Sequence, residues 1–164
     1  MAYRLGTRSR AELKGVHPDM DKVVRRAIKI TRQDFTVHDG IRTLREQKRY
    51  VKKGVSKTLN SKHLKQKDGY GHAVDLVPYI NGKLRWEWEP IYEIAAAMHQ
   101  AANDLGVQLR WGGVWDRVFN DLNAGNARGA RRAVRVYVER RRKAGRRAFI
   151  DGPHFELHRN HFKR

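Results

Sequence analysis

The sequence predicts an α+β fold: a small, mainly antiparallel sheet packed with helices in a single domain. Three observations carry this expectation. Helical periodicity comes in separate blocks, short β-like runs lie between them at irregular spacing, and turn signals close most blocks. Nothing alternates regularly enough to suggest a parallel βαβ sheet, and no internal repeat is present. A length of 164 residues suits one domain with a modest core.

The stretch "HPDMDKVVRRAIKITRQ" reads as an opening helix, with Pro18 suited to its first turn. Met20, Val23, Val24, Ala27 and Ile28 recur at helical spacing and give it one buried stripe. "DFTV" is a short strand. "TLREQKRYVKKG" is a second helix, where Thr43 and Glu46 form a capping-box pattern and Gly54 offers a stop. "GHAVDLVPYI" is strand-like and ends at Pro78 and the turn signal "NG". "EPIYEIAAAMHQAANDLG" is the clearest helix, with Pro90 near its start and Gly106 at its end. A strand "VQLRW" follows, and a last one, "AFIDGPHFELH", precedes a polar tail expected to be exposed.

Between the last two strands the chain reads "RGARRAVRVYVERRRKAGRR", residues 128–147. Nine arginines and one lysine stand there against Glu139, which is about half of the chain's formal excess charge of +19. Ala130, Ala133, Val134, Tyr137 and Val138 supply a narrow apolar stripe, so this segment is an amphipathic basic helix. A charge of that size predicts an anionic partner, either nucleic acid or an anionic cell envelope. There is no apolar run long enough for a membrane span, and "MAYRLGTRSRAELKG" has no secretory h-region. Cysteine is absent, so any metal must be held by His, Asp or Glu.

The stretch "SKHLKQKDGYGHAVDLVPY" brings two histidines close to an aspartate flanked by apolar residues. In a strand, residues two apart share a face. Asp75 then sides with Ala73 and Val77, whereas His72 points the other way. His63 arrives from a separate loop without that restriction and is the better partner for Asp75. A catalytic zinc commonly has three protein ligands and one open position. The only other histidine in an apolar strand beside carboxylates lies in "DGPHFELH". His154 and Glu156 share a face there, and Asp151 precedes a Gly-Pro turn that can curl its carboxylate back toward His154.

These blocks resemble the zinc peptidoglycan peptidases related to D-alanyl-D-alanine carboxypeptidases, and most closely the phage endolysins that act as L-alanyl-D-glutamate endopeptidases. "GVHPDM", "GIRT", "SKH", "HAVDLVPYINGK", "LRWGGVWD" and "DGPHFEL" occur in the family's order. The resemblance implies that His63, Asp75 and His154 bind one Zn2+ and that Asp151 is the catalytic carboxylate. It implies that Arg42 binds and stabilises the reacting carbonyl region, and that Ser61 contacts substrate. His72 is not a ligand in this pattern, and Glu156 is expected to orient its neighbours. Two departures stand out: "KQKDGY" lengthens the loop between His63 and Asp75, and the basic helix is an insertion at about 124–147. His158, on the face of His154, is a stray candidate ligand.

The implied chemistry is metal-assisted peptide hydrolysis, in which zinc lowers the pKa of water toward about 7 and Asp151 acts as the base. The implied substrate is the bacterial peptidoglycan stem peptide, cut between L-Ala and D-Glu. A D-alanyl-D-alanine carboxypeptidase with the same metal site is the alternative, but "GVHPDM" and the single short domain favour the endolysin. A nucleic-acid-binding protein would account for the charge but not for the metal constellation, so no specific nucleic acid is expected. A catalytically silent wall-binding module would not need every chemical position. The expected partner beyond peptidoglycan is an anionic envelope polymer or lipopolysaccharide, met non-specifically by a monomer. Such a lysin would wait in the host cytoplasm and reach the periplasmic wall through a holin.

Overall fold

The computed structural model describes residues 2–54, 56, 58 and 60–163. Among the described residues, five α-helices pack with a five-stranded antiparallel sheet, the α+β class that the sequence predicts. The chain opens with a short helix that the apolar pattern does not announce, α1 (Thr7–Glu12), and continues into α2 (Pro18–Ile30). Pro18 occupies the first turn of α2, and the His17 ring caps it by accepting the Asp19 N–H at 3.0 Å. The predicted stripe of Met20, Val23, Val24, Ala27 and Ile28 is buried.

β1 (Phe35–Asp39) leads to α3 (Leu44–Lys52), whose capping box is formed by Thr43 and Glu46 in both directions. β2 (Ala73–Ile80) turns through Asn81 and Gly82, both at positive φ (51° and 77°), into the two-residue β3 (Lys83–Leu84). Asn-Gly is the pair that tolerates such a hairpin turn best. α4 (Trp88–Leu105) closes on Gly106 in the left-handed conformation and is followed by β4 (Leu109–Trp111). α5 (Ala127–Lys143) is the basic helix, capped by the Asn126 side chain at the Gly129 N–H. Ala130, Val134 and Tyr137 bury its stripe, and it packs on α4, which in turn packs on α2.

The last strand is shorter than the sequence suggests. β5 (His154–Leu157) begins at His154, and residues 148–150 take no part in the ladder. The tail beyond it is not wholly exposed either. A 3₁₀ turn over Arg159–Phe162 buries His161, whose Nε2 lies 2.8 Å from Asp19 Oδ2.

The strand order is β1-β2-β5-β4, with β3 paired to β2. Val74 faces Phe155 across β2 and β5, and Phe155 faces Trp111 across β5 and β4. These residues join Met20, Ile94 and Met98 in the core under the helices. On the opposite face, Asp75 faces His154 and Ala73 faces Glu156. The alternation of strand side chains thus puts the apolar core on one side and the chemistry on the other.

Candidate metal centre

Asp75 and His154 are directly opposed on neighbouring strands, so the sheet register itself brings two of the candidate ligands together. His63 comes from the preceding loop. Its Nε2 lies 3.3 Å from Asp75 Oδ2, and His154 Nδ1 lies 3.3 Å from Asp75 Oδ1. One ligand atom from each of His63, Asp75 and His154 falls within 4.8 Å of the others, and this is the one such group among the described residues. Both histidines are buried, whereas the Asp75 side chain keeps 20% of its exposure.

The far side of each imidazole is held. His63 Nδ1 sits 2.8 Å from the Gly40 carbonyl, which accepts its proton and leaves Nε2 free to face the cluster. Gly40 must be glycine, because a Cβ there would lie 1.9 Å from the Glu12 carbonyl oxygen. His154 uses the opposite nitrogen: Nε2 is 2.9 Å from Glu156 Oε1, so Nδ1 faces the cluster. Trp115 packs against the His154 ring at 5.2 Å, a contact for which the sequence offers no signal beyond the block "LRWGGVWD".

The cluster fits a cation on its own evidence. Asp75 Oδ1 is buried and accepts no well-directed hydrogen bond among the described residues, and a buried acceptor left unpaired is costly. Burial would raise the Asp75 carboxyl, but His63 and His154 outweigh it and hold it well below the usual carboxylate range. Burial would lower the His154 imidazole, but Asp75 and Glu156 override it and push it up to about 10. A cation in the cluster would take the place of the Nδ1 proton, between that nitrogen and Asp75, while Glu156 keeps its bond to Nε2.

Around this core the other expected residues take distinct places. Burial, and then the negative charge of Asp75, push the Asp151 carboxyl up. Its backbone is tied to Gly112, just past β4, with Asp151 N–H donating to the Gly112 carbonyl at 2.9 Å and Gly112 N–H donating to the His154 carbonyl at 2.9 Å. Arg42 is buried and lies over the Tyr50 ring at 4.4 Å. It donates to Asp39 and, at 2.6 Å, to Gln47 Oε1, and it approaches Asp75 Oδ2 at 3.8 Å. Ser61 is buried as well, and its Oγ accepts the His63 N–H at 3.1 Å, a turn that sets the direction of the histidine.

The long loop after His63 does not displace it. Gln66 N–H donates to the Tyr70 carbonyl at 2.8 Å, Gly69 N–H to the Gln66 carbonyl at 2.9 Å, and Lys65 bridges Gly71. The extra residues therefore fold back on themselves. His72 turns away and meets Asp68 at 2.7 Å, as the strand argument requires. His158 caps the terminal 3₁₀ turn through Nδ1 and is not part of the cluster.

Fold and cluster together define an α+β domain built around a group that can hold a metal ion. The family model described as phage L-alanyl-D-glutamate peptidase matches residues 1–129. The chain is 36% identical over 120 residues to the L-alanyl-D-glutamate peptidase of Escherichia phage T5, covering 71% of this chain and 84% of that one. It is also similar to the crystal structure of the L-Ala D-Glu endopeptidase ChiX of Serratia marcescens. That match has a TM-score of 0.68 and 32% identity, and it spans 96% of this chain and 91% of the other. The chain belongs to the phage L-alanyl-D-glutamate peptidase family. Asp151 and His154 lie beyond the residues that the family model matches; His154 joins the cluster through the register of β2 and β5.

Proposed function

We propose that this protein is a zinc-dependent peptidoglycan hydrolase that cuts the L-alanyl–D-glutamate bond of the stem peptide and so lyses the bacterial wall. The observation that carries the reading is the convergence of His63, Asp75 and His154 in a chain of that peptidase family. Two imidazoles and one carboxylate are a donor set suited to zinc. Zinc held there supplies a Lewis acid that acidifies water and polarises an amide carbonyl. Asp151 takes a proton at its carboxylate from the attacking water and returns it to the leaving amine. Arg42, fixed by Asp39 and Gln47, presents its charge to the oxygen that becomes negative, at no cost of reorganisation. Ser61, on the His63 loop, contacts the substrate.

No helix among the described residues is long and apolar enough to cross a membrane. In this reading the protein collects in the host cytoplasm and needs a holin to reach the wall, where it works as a monomer. The family match ends in the first turn of the basic helix. Arg128, Arg131, Arg132 and Arg135 are exposed on it and attract anionic envelope polymers or lipopolysaccharide. Such attraction is screened within about 8 Å at physiological ionic strength, so wall binding weakens as salt rises.

The test is digestion of purified peptidoglycan followed by mass spectrometry. Free N-terminal D-Glu and stems detached from muramic acid are expected, with loss of activity in a chelator and recovery on adding zinc. Release of D-Ala alone would sink the endopeptidase reading, and full activity in the chelator would sink the zinc.

A further inference from the structure

We infer that the groove beside the metal cluster is a carboxylate-reading subsite for the D-glutamate side of the substrate. The inference rests on the peptidase reading above and assigns the acidic half of that substrate to a place on the surface. The groove encloses about 750 Å³, within the range of sites that hold small molecules or short peptides. It shares two walls with the cluster. Glu156 lines it while bonding His154 Nε2, and Trp115 lines it while packing on the His154 ring.

Its charges are unbalanced in a specific way. Each acid in the groove already has a basic partner: Glu156 has His154 and Arg110, Asp68 has His72, and Asp116 has Arg140. The exposed cations Lys62, Lys67 and Arg159 line the groove without an ion pair among the described residues. Arg110 adds a preorganised guanidinium. Its Nε donates to the Trp115 carbonyl at 2.9 Å, its Cζ lies 4.9 Å from the centre of the Trp115 ring, and 40% of its side chain stays exposed. The Trp115 indole N–H is buried with no hydrogen-bond partner among the described residues. That leaves an unmade donor at the seam between groove and cluster.

The D-glutamyl half of an L-alanyl–D-glutamyl substrate carries carboxylates, and the L-alanyl half carries none. Cations left unpaired beside the cluster select the carboxylate-bearing half, which is also the half that leaves as the amine. Pairing it there orients the scissile amide against the cluster.

The test uses a stem tetrapeptide beginning L-Ala–D-Glu, with its carboxylates either free or amidated, at low salt. The wild-type protein should favour the free acid by about tenfold in kcat/KM, the worth of one charge-assisted contact. The variant Lys62→Gln/Lys67→Gln/Arg159→Gln should bring that ratio toward one. A ratio the variant leaves unchanged overturns the subsite, as does a wild-type protein indifferent to amidation. If the wild type cuts neither peptide, the peptidase reading itself fails. The subsite is then judged by NMR of the Trp115 indole N–H, which should shift with the acid peptide and not with the amide. A signal that moves with neither overturns it.

Discussion

His63, Asp75 and His154 each turn a ligand atom toward the others, whereas His17, His72 and His161 spend theirs on Asp19, Asp68 and nearby backbone. In the second group His72 Nε2 meets Asp68 at 2.7 Å and His161 Nε2 meets Asp19 at 2.8 Å. His161 Nδ1 accepts the Gln108 N–H at 3.3 Å, and His17 Nδ1 accepts the Asp19 N–H. Phe162 stacks on His72 at 5.1 Å, so the group works as a clamp between the chain's end, the start of α2 and the loop ahead of β2. Residue types alone would make the two groups equivalent. What separates them is what is left over once hydrogen bonds are made: a buried oxygen without a hydrogen bond and two inward nitrogens in one, and in the other no three ligand atoms close enough together, among the described residues, to hold an ion.

The largest expected effect tests that contrast directly. His63→Ala should lose both bound zinc and hydrolysis, and His72→Ala should keep both, read by metal analysis and turbidity loss of permeabilised cells. The reverse result would assign the metal to the wrong histidine. Next is Asp151→Asn, which keeps shape but removes the proton acceptor. Zinc should stay bound while kcat falls about 10²- to 10⁴-fold, the usual worth of general-base catalysis. Near-normal turnover would move the role elsewhere, with Glu156 the next candidate.

Gly40→Ala should be costly because its Cβ would collide with backbone and not with a flexible side chain. A loss of about 1–3 kcal/mol in urea unfolding is expected, with weakened zinc affinity because the carbonyl that orients His63 moves. Unchanged zinc affinity would show that His63 needs no such support.

The smallest effect belongs to the clamp. The hydrogen bond from His161, with some help from His17 and Lys22, holds the Asp19 carboxyl below its ordinary value. A group depressed in the folded state adds stability above its unfolded pKa, about 3.9. That stability is lost as pH falls through the folded value. Asp19→Asn should therefore cost about 0.5–1.5 kcal/mol near neutral pH, and the difference from wild type should shrink in acid. Equal urea midpoints at neutral pH would mean that the clamp contributes nothing.

Much of this was legible in the sequence where a period was long enough to count. The stripe of α2 and the narrow stripe of α5 set which faces are buried, and strand alternation alone separated His72 from Asp75. Shorter signals failed for physical reasons. α1 has six residues, too few for a period to show, and is held by a buried Ser9 whose hydroxyl oxygen accepts the Val37 N–H. The run before His154 looks like a strand because Ala148, Phe149 and Ile150 are apolar. Phe149 instead leaves the ladder to stack on Trp115 at 6.2 Å. Which nitrogen of each imidazole faces inward was not legible at all, since it depends on Gly40 and Glu156, partners set by tertiary contact.

The opposition of Asp75 and His154 across β2 and β5 has a kinetic consequence. An ion held by both side chains would tie one rung of the ladder together, so holding the ion would favour the paired strands. Metal loss would then be expected to follow how often that rung opens more than how strongly a chelator competes. Backbone amides flanking the rung should exchange with solvent more slowly in the loaded protein than in the stripped one, while those of α5, far from that rung of the ladder, should not notice.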